Sequence, residues 1–381
     1  MRNMRNPFQY GGLVEGAAFC NRKKELADLL AAVESSEKLF LYSERRLGKT
    51  SLVQTALRQL PKGRYAAAYV DLWPTDGEVS FVTATARAIA ESMSSTTGQL
   101  LDLAKQFFSR LTPSVTTDAE GKPKVTFGFN MSGQPGPELE EALAAPAKIA
   151  AHGKRKVVIV FDEVQQVLEY QNDTVERRLR SIVQKQKDVS YIFLGSRKHL
   201  IQKMFLDRSR PLYRAAGHYP LGSIATAHWI PFIAAKFRQG EKAIADDETR
   251  LVCTLTEGHP FYTQHLCHAL WELCEPGESV TEPLIETALK VLLDRESYAY
   301  TALWESLALN QKRLLKGLAS EPAGVKPFAG IFVRRHGLGS ASNSQRAAES
   351  LLNRDLIDRD NGSFSITDRF FRIWIGQRQV Q

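Results

Sequence analysis

Residues 38–55 read KLFLYSERRLGKTSLVQT: an apolar run, a polar loop, and a stretch that resumes helical spacing. The run from Lys38 to Tyr42 has the length of a strand, and SLVQTALRQL after the loop follows the 3.6-residue period of a helix. Between them, Ser43-Glu44-Arg45-Arg46-Leu47-Gly48-Lys49-Thr50 fits the pattern G-x-x-x-x-G-K-[ST] everywhere except the first position, where Ser replaces Gly. A loop of this kind turns backbone N–H groups and a helix N-terminus toward an anion. It adds a lysine that reaches phosphate oxygens and a hydroxyl suited to Mg2+. Gly48, Lys49 and Thr50 provide the last three parts, and the small Ser43 lets the chain leave the strand without positive φ. With Ser51 behind it, the loop is the candidate phosphate-binding segment.

Working outward, KELADLLAAVE (24–34) places Leu26, Leu29, Leu30 and Val33 on one helix face ahead of the first strand. Further apolar runs at 65–72 (YAAAYVDL), 156–161 (KVVIVF) and 191–194 (YIFL) are each followed by helix-compatible sequence. Strands apolar on both faces and separated by helices predict a parallel sheet covered on two sides, an α/β core. Residues 112–137, rich in Gly, Pro, Ser and Thr, read as an excursion from that core, with KVTFGFN able to pair as a short hairpin. From about Ile224 to Val291 the pattern is helical, with no further strand. The last segment reads as helices at 310–320, 327–336 and 342–354, then LIDRD and SFSIT joined through Asn361-Gly362, a strong hairpin signal. Three helices and a hairpin predict a winged helix. The expected organisation is an N-terminal arm (1–20), an α/β core (21–222), a helical unit (223–297) and a winged helix (298–381).

At 381 residues the chain exceeds what one hydrophobic core organises, and its 43% hydrophobic and 24% charged residues match an ordinary globular protein. No run approaches the length of a membrane span, and MRNMRNPFQYGG has no apolar segment behind its charge, so a cytoplasmic protein with no membrane partner is expected. Four unevenly spaced cysteines argue for reduced thiols over a disulfide framework. The formal charge of +8 is concentrated at the C-terminal end, where residues 305–381 hold 12 Lys/Arg against 7 Asp/Glu.

A phosphate-binding lysine calls for a metal site, and the run 157–161 ends in Asp162-Glu163. An Asp at a strand end can hold Mg2+ through water, and the adjacent Glu can polarise an attacking water. The next strand ends in Gly195-Ser196-Arg197, where Ser196 would report on a γ-phosphate. Arg208, Arg210 and Arg214 flank Pro211, and Arg210 suits either a finger reaching a neighbouring subunit or a structural role. His259, His265 and His268 with Cys253, Cys267 and Cys274 lack the paired spacing of a zinc site. The winged helix carries Lys312, Arg313, Lys316, Arg334, Arg335, Arg346, Arg354 and Arg359, which fits DNA. Asp355, Asp358 and Asp360 in the wing would repel phosphate and favour docking on protein.

In order, NPFQYGGLVEG, FCNRKKEL, YSERRLGKTSL, VIVFDEVQQV, FLGSRKHLIQKMF, RPLYR and TEGHPFYTQHLCHALWEL resemble the archaeal-type ATPases, P-loop proteins of the AAA+/STAND group, over almost the whole chain. The resemblance implies a P-loop NTPase core with a helical lid and a C-terminal winged helix, and a slow Mg-dependent ATPase acting as a switch. ATP with Mg2+ would sit between core and lid, and self-association or a protein partner would accompany it. An alternative is a DNA-binding protein regulated by ATP. By resemblance, Lys49 and Thr50 serve phosphates and metal, and Asp162 and Glu163 are the Walker B carboxylates, Glu163 being the catalytic base. Ser196 is the sensor, and Gly258-His259-Pro260 is the lid motif. Phe19, Asn21 and Arg22 match a segment near the adenine, where Asn21-Arg22 replaces the usual Gly-Arg.

Overall fold

The computed structural model describes residues 5–14, 16–93, 98, 102, 105–117, 123–129, 136–153, 155–321, 325–360 and 362–378. Contacts divide the chain into two compact units. One holds Arg22–Ser43 and Lys49–Leu221; the other holds Met1–Asn21, Glu44–Gly48 and Gly222–Gln381.

The first unit is the α/β core. Helix α1 (Lys23–Glu34) leads into β1 (Lys38–Tyr42), and the phosphate-type loop leads into α2 (Lys49–Gln59). Then come β2 (Tyr65–Asp71), α3 (Glu78–Met93), the hairpin strands β3 (Leu111–Thr117) and β4 (Pro123–Phe129), and α4 (Gly136–Gly153). β5 (Lys156–Asp162), α5 (Thr174–Lys185), β6 (Val189–Gly195), α6 (Lys198–Leu206) and β7 (Gly217–Pro220) complete it. The sheet order is β2-β5-β6-β1-β7, all pairs parallel. Strand order reverses around β1, so the loop after β1 opens at a topological switch point, where α/β sheets take ligands. β5 is buried from Val157 to Asp162 and β6 throughout, which explains their uninterrupted apolar sequence.

Two features differ from expectation. β7, with the sequence GHYP, is an edge strand of four residues exposed along most of its length, and it lacks the apolar run that marks the others. The 112–137 excursion does form a hairpin, but Leu111 and Phe127 are buried in the same apolar cluster as the sheet, with Phe127 and Phe108 rings 5.5 Å apart. The stretches 118–122 and 130–135 lie outside the described residues.

The second unit is helical. It contains α7 (Thr226–Gln239), α8 (Asp246–Thr256), α9 (Pro260–Leu273) and α10 (Glu282–Glu305). It continues with α11 (Leu309–Ser320), α12 (Gly330–Arg335), α13 (Ala341–Asn353), the hairpin β8 (Ile357–Asp360) and β9 (Ser363–Ile366), and α14 (Arg369–Gln377). Gly362 takes φ +83° in the wing turn; Asn361 beside it is outside the described residues. The final helix was not separately marked in the sequence. It is set by Asp368, whose carboxylate accepts from the N–H groups of Phe370 and Phe371, and by the buried face of Phe370, Phe371, Trp374 and Ile375.

The N-terminal arm is part of this unit: Phe8 is buried against Phe237, and Lys236 Nζ donates to Pro7 O at 2.8 Å. The helical segment and winged helix share one apolar cluster, and α10 runs unbroken across the 297/298 boundary expected between them. Among the described residues no helix is long and apolar enough to cross a membrane, and none of the four cysteines forms a disulfide.

Gly195 ends β6 where a Cβ would lie 1.9 Å from Ile201 Cδ1 and 2.7 Å from Gln165 Oε1. Gly195→Ala should therefore lower stability by roughly 1–3 kcal/mol through overpacking. Urea unfolding should also show part of the loss recovered in Gly195→Ala/Ile201→Val.

Candidate active site

The parallel register brings the carboxyl ends of β1, β5 and β6 to one edge, and Lys49, Thr50, Asp162, Glu163 and Ser196 are gathered there. Lys49, the first residue of α2, is buried, and its Nζ donates to Ser43 Oγ at 2.8 Å and Ser43 O at 3.4 Å. The serine that replaces the first glycine thus holds the lysine. Gly48 takes φ +89° with open space around it, so glycine is needed there for backbone conformation and not for room. Ser51 is buried in the first turn of α2.

Thr50 Oγ1 donates to Asp162 Oδ2 at 3.0 Å, and the Tyr69 hydroxyl donates to the same oxygen. Oδ1 accepts from the N–H of Glu163 at 2.8 Å. Burial raises the Asp162 carboxyl above its ordinary value, with Glu163 adding to the rise, while the bonds from Tyr69, Thr50 and the backbone pull it back. Burial also pushes the Tyr69 phenol well up, reinforced by Asp162. Thr50 and Asp162 are hard oxygen donors meeting at one point, the chemistry of a Mg2+ site that keeps most of its waters.

Glu163 sits in the left-handed region at φ 51°, uncommon for a residue with a side chain and frequent where function constrains the backbone. Its carboxylate accepts from Ser196 Oγ at 2.8 Å and from Gln165 Nε2. Ser196 therefore lies on the Glu163 carboxylate. Arg210 forms an ion pair with Glu176, which is almost wholly buried. Burial raises the Glu176 carboxyl and Arg210 opposes that rise, so the arginine has a structural commitment.

Arg22 pairs with Glu25 at 2.8 Å, and its carbonyl accepts from Leu26 as α1 begins. Asn21 takes φ 54°, a conformation glycine adopts freely and Asn tolerates better than most residues, which accounts for Asn in place of Gly.

In the helical unit, the loop residues Glu44–Gly48 meet the residues just before α9 and the C-terminal segment around β8 and α14. His259, buried just before α9, places Nε2 3.1 Å from Arg45 O, and Pro260 opens that helix. Gly258 has φ +62° and no room for a Cβ, which would lie 2.3 Å from Ile224 O. Arg45 pairs with Asp355 at 3.1 Å, Arg46 lies 4.3 Å over the Phe261 ring, and Glu44 pairs with Arg369 at 2.6 Å. Leu47 is buried.

Tyr69, Gln165 and Arg369 were missed in the sequence. Tyr69 had one signal, a hydroxyl inside an otherwise apolar strand, and Arg369 another, a charge opening an apolar terminal helix. Several basic residues of the winged helix have local partners: Arg313 binds Gly337 O, Arg335 pairs with Glu321, Arg346 binds Asn343 and Arg354 binds Ser306. Glu349 accepts from Gln345.

Residues 19–266 match the family model described as an ATPase domain predominantly from Archaea. The chain belongs to this ATPase family. Residues 298–377 of the family member also match a model described as "Probable winged helix domain". Among solved structures, the Walker-type ATPase PABY2304 of Pyrococcus abyssi is similar at 14% identity and a TM-score of 0.66, with 97% of this chain and 99% of that one covered. The Aeropyrum pernix ORC2 protein (ADPNP-ADP complexes) is similar at 12% identity and a TM-score of 0.56, covering 99% of each chain. At these identities the likeness shows the fold alone, an α/β core with a parallel sheet and a helical C-terminal region. No curated protein sequence gave a significant match.

Below the ordinary carboxyl value of 3.8, folded and unfolded chains both keep the Asp162 proton. Above it the unfolded chain ionises first, so this group's contribution to stability is lost as pH rises through its raised folded value. Asp162→Asn should raise the thermal midpoint of the nucleotide-free protein at pH 7. Scanning fluorimetry should show the gap between variant and parent narrowing as pH falls.

Proposed function

We propose that this ATPase binds ATP with Mg2+ and hydrolyses it slowly, as a switch whose phosphate state is read by the helical unit. The observation that carries the reading is the 3.0 Å contact of Thr50 with Asp162, beside the buried Lys49. Together they form a cation-holding pair next to a phosphate-holding one.

Lys49 places its charge on the β/γ-phosphates. Thr50 and Asp162 would hold Mg2+, which when bound neutralises charge developing on the phosphoryl oxygens. Glu163 orients a water for attack on the γ-phosphorus and takes its proton as the bond to the ADP oxygen breaks, leaving ADP and phosphate. Ser196 and Gln165 hold the Glu163 carboxylate in place through their two hydrogen bonds. Arg210 would have to leave the buried Glu176 to act on a neighbouring subunit, and breaking such a pair costs about 3–5 kcal/mol. A trans-acting role for it thus requires assembly to supply that energy.

Coupling rests on the loop tip, where Glu44–Gly48 contact the lid motif and winged helix of the helical unit. ATP and ADP would shift that unit only as far as their affinities for its states differ, and reversing a 1:99 ratio takes about 5.5 kcal/mol.

Two variants test the reading by nucleotide titration and phosphate release. Lys49→Ala should weaken ATP binding roughly 10- to 150-fold, the 1.5–3 kcal/mol of a charged hydrogen bond. Glu163→Gln should keep binding and lower turnover by about 10²- to 10⁴-fold. Parental turnover in the Glu163 variant would remove it as the base.

A further inference from the structure

We propose that Tyr69 is the positioning residue of the metal site and makes it selective for Mg2+ over Ca2+, by filling a lone pair of Asp162 that the larger cation would use. This rests on the nucleotide and metal site proposed above. Every residue involved belongs to the α/β core.

An ionised carboxylate offers about four lone pairs on its two oxygens. Among the described residues, three donors reach Asp162. Thr50 Oγ1, at 3.0 Å, and the Tyr69 hydroxyl both donate to Oδ2, and the N–H of Glu163 donates to Oδ1 at 2.8 Å. Oδ2 is thus filled, and about one lone pair remains, on Oδ1. Chelation of a cation by both oxygens is closed off. What is left suits a single contact, either direct or through a water.

The two common divalent cations of hard oxygen sites differ on this point. Mg2+ demands an octahedral shell, dehydrates reluctantly and keeps several waters, whereas Ca2+ takes roughly six to eight oxygens and often both oxygens of one carboxylate. Of the three donors on Asp162, Thr50 also serves the metal and the Glu163 N–H is backbone, so the Tyr69 hydroxyl is the one whose sole function here is to occupy the carboxylate. Tyr69 is half-buried on β2 after three alanines. The parallel register sets it opposite Val160, on the same sheet face as Asp162 two residues further along β5. Phenylalanine would fill the same space; only the hydroxyl reaches the carboxylate. A phenol keeps its proton at neutral pH, so Tyr69 acts as a donor and leaves the cation to Thr50 and Asp162.

The test is titration of the full chain with a fluorescent ATP analogue in Mg2+, in Ca2+ and in EDTA, which reads binding without turnover. The parent should bind more tightly in Mg2+ than in Ca2+. Tyr69→Phe should move that ratio toward Ca2+ on the order of tenfold, the lower end for a hydrogen bond to a charged group, and should leave affinity in EDTA unchanged. Tyr69→Leu, which also lacks the hydroxyl, should show the same shift and replaces the first variant if circular dichroism finds that one unfolded. A merely structural role would weaken all three conditions alike. That result, a parental Mg2+/Ca2+ ratio in the variants, or a parent that binds equally in both cations overturns the proposal. Lys49→Ala separates it from the reading beneath it. If Lys49→Ala binds nucleotide like the parent, the nucleotide site itself is misassigned; if it loses nucleotide while Tyr69→Phe keeps the parental ratio, only the role of Tyr69 falls.

Discussion

A buried carboxylate at the end of β5 sets the terms for the rest of the core. Asp162 is removed from water yet surrounded by groups that bind its ionised form: a hydroxyl from α2, a phenol from β2 and its neighbour's backbone N–H. That arrangement requires β2 beside β5 with Asp71 opposite Asp162, and the phosphate loop two strands away on β1. Strands buried on both faces follow from the need to hold those three ends in register. The strain at Glu163 and the crowded glycine at 195 lie on the same edge, where the chain must turn sharply from strand to functional side chain.

Charge in the loop obeys a related constraint. Phosphate loops work through backbone N–H groups, and long charged side chains around them need somewhere to go. Here Glu44, Arg45 and Arg46 each have an address in the helical unit: Arg369, Asp355 and the face of Phe261. The loop's side chains report to one body while its following lysine and threonine belong to the other.

Much of this was legible because the physics was local. β1 matches its apolar run to the residue, and Lys49-Thr50 and Asp162-Glu163 lie at the strand ends that the strand-then-loop and strand-then-acid patterns predict. What was hidden depended on neighbours distant in sequence. β7 carries no hydrophobic period because an edge strand buries little. Tyr69 and Gln165 matter only through contacts with Asp162 and Glu163. The expected boundary near residue 298 marks a change of motif but not a break in packing, since one apolar cluster underlies both sides. The positive φ of Asn21 is likewise a backbone property that no hydrophobic period could signal.

The helix α10 gives that continuity a mechanical meaning. At 24 residues it is a rod about 36 Å long, with an unbroken hydrogen-bond ladder and no interior glycine or proline to act as a hinge. Its two ends therefore turn together. Severing the rod at the motif border would strip both fragments of shared apolar surface, so the helices before it and the winged helix after it are better regarded as one packed body than as separable modules.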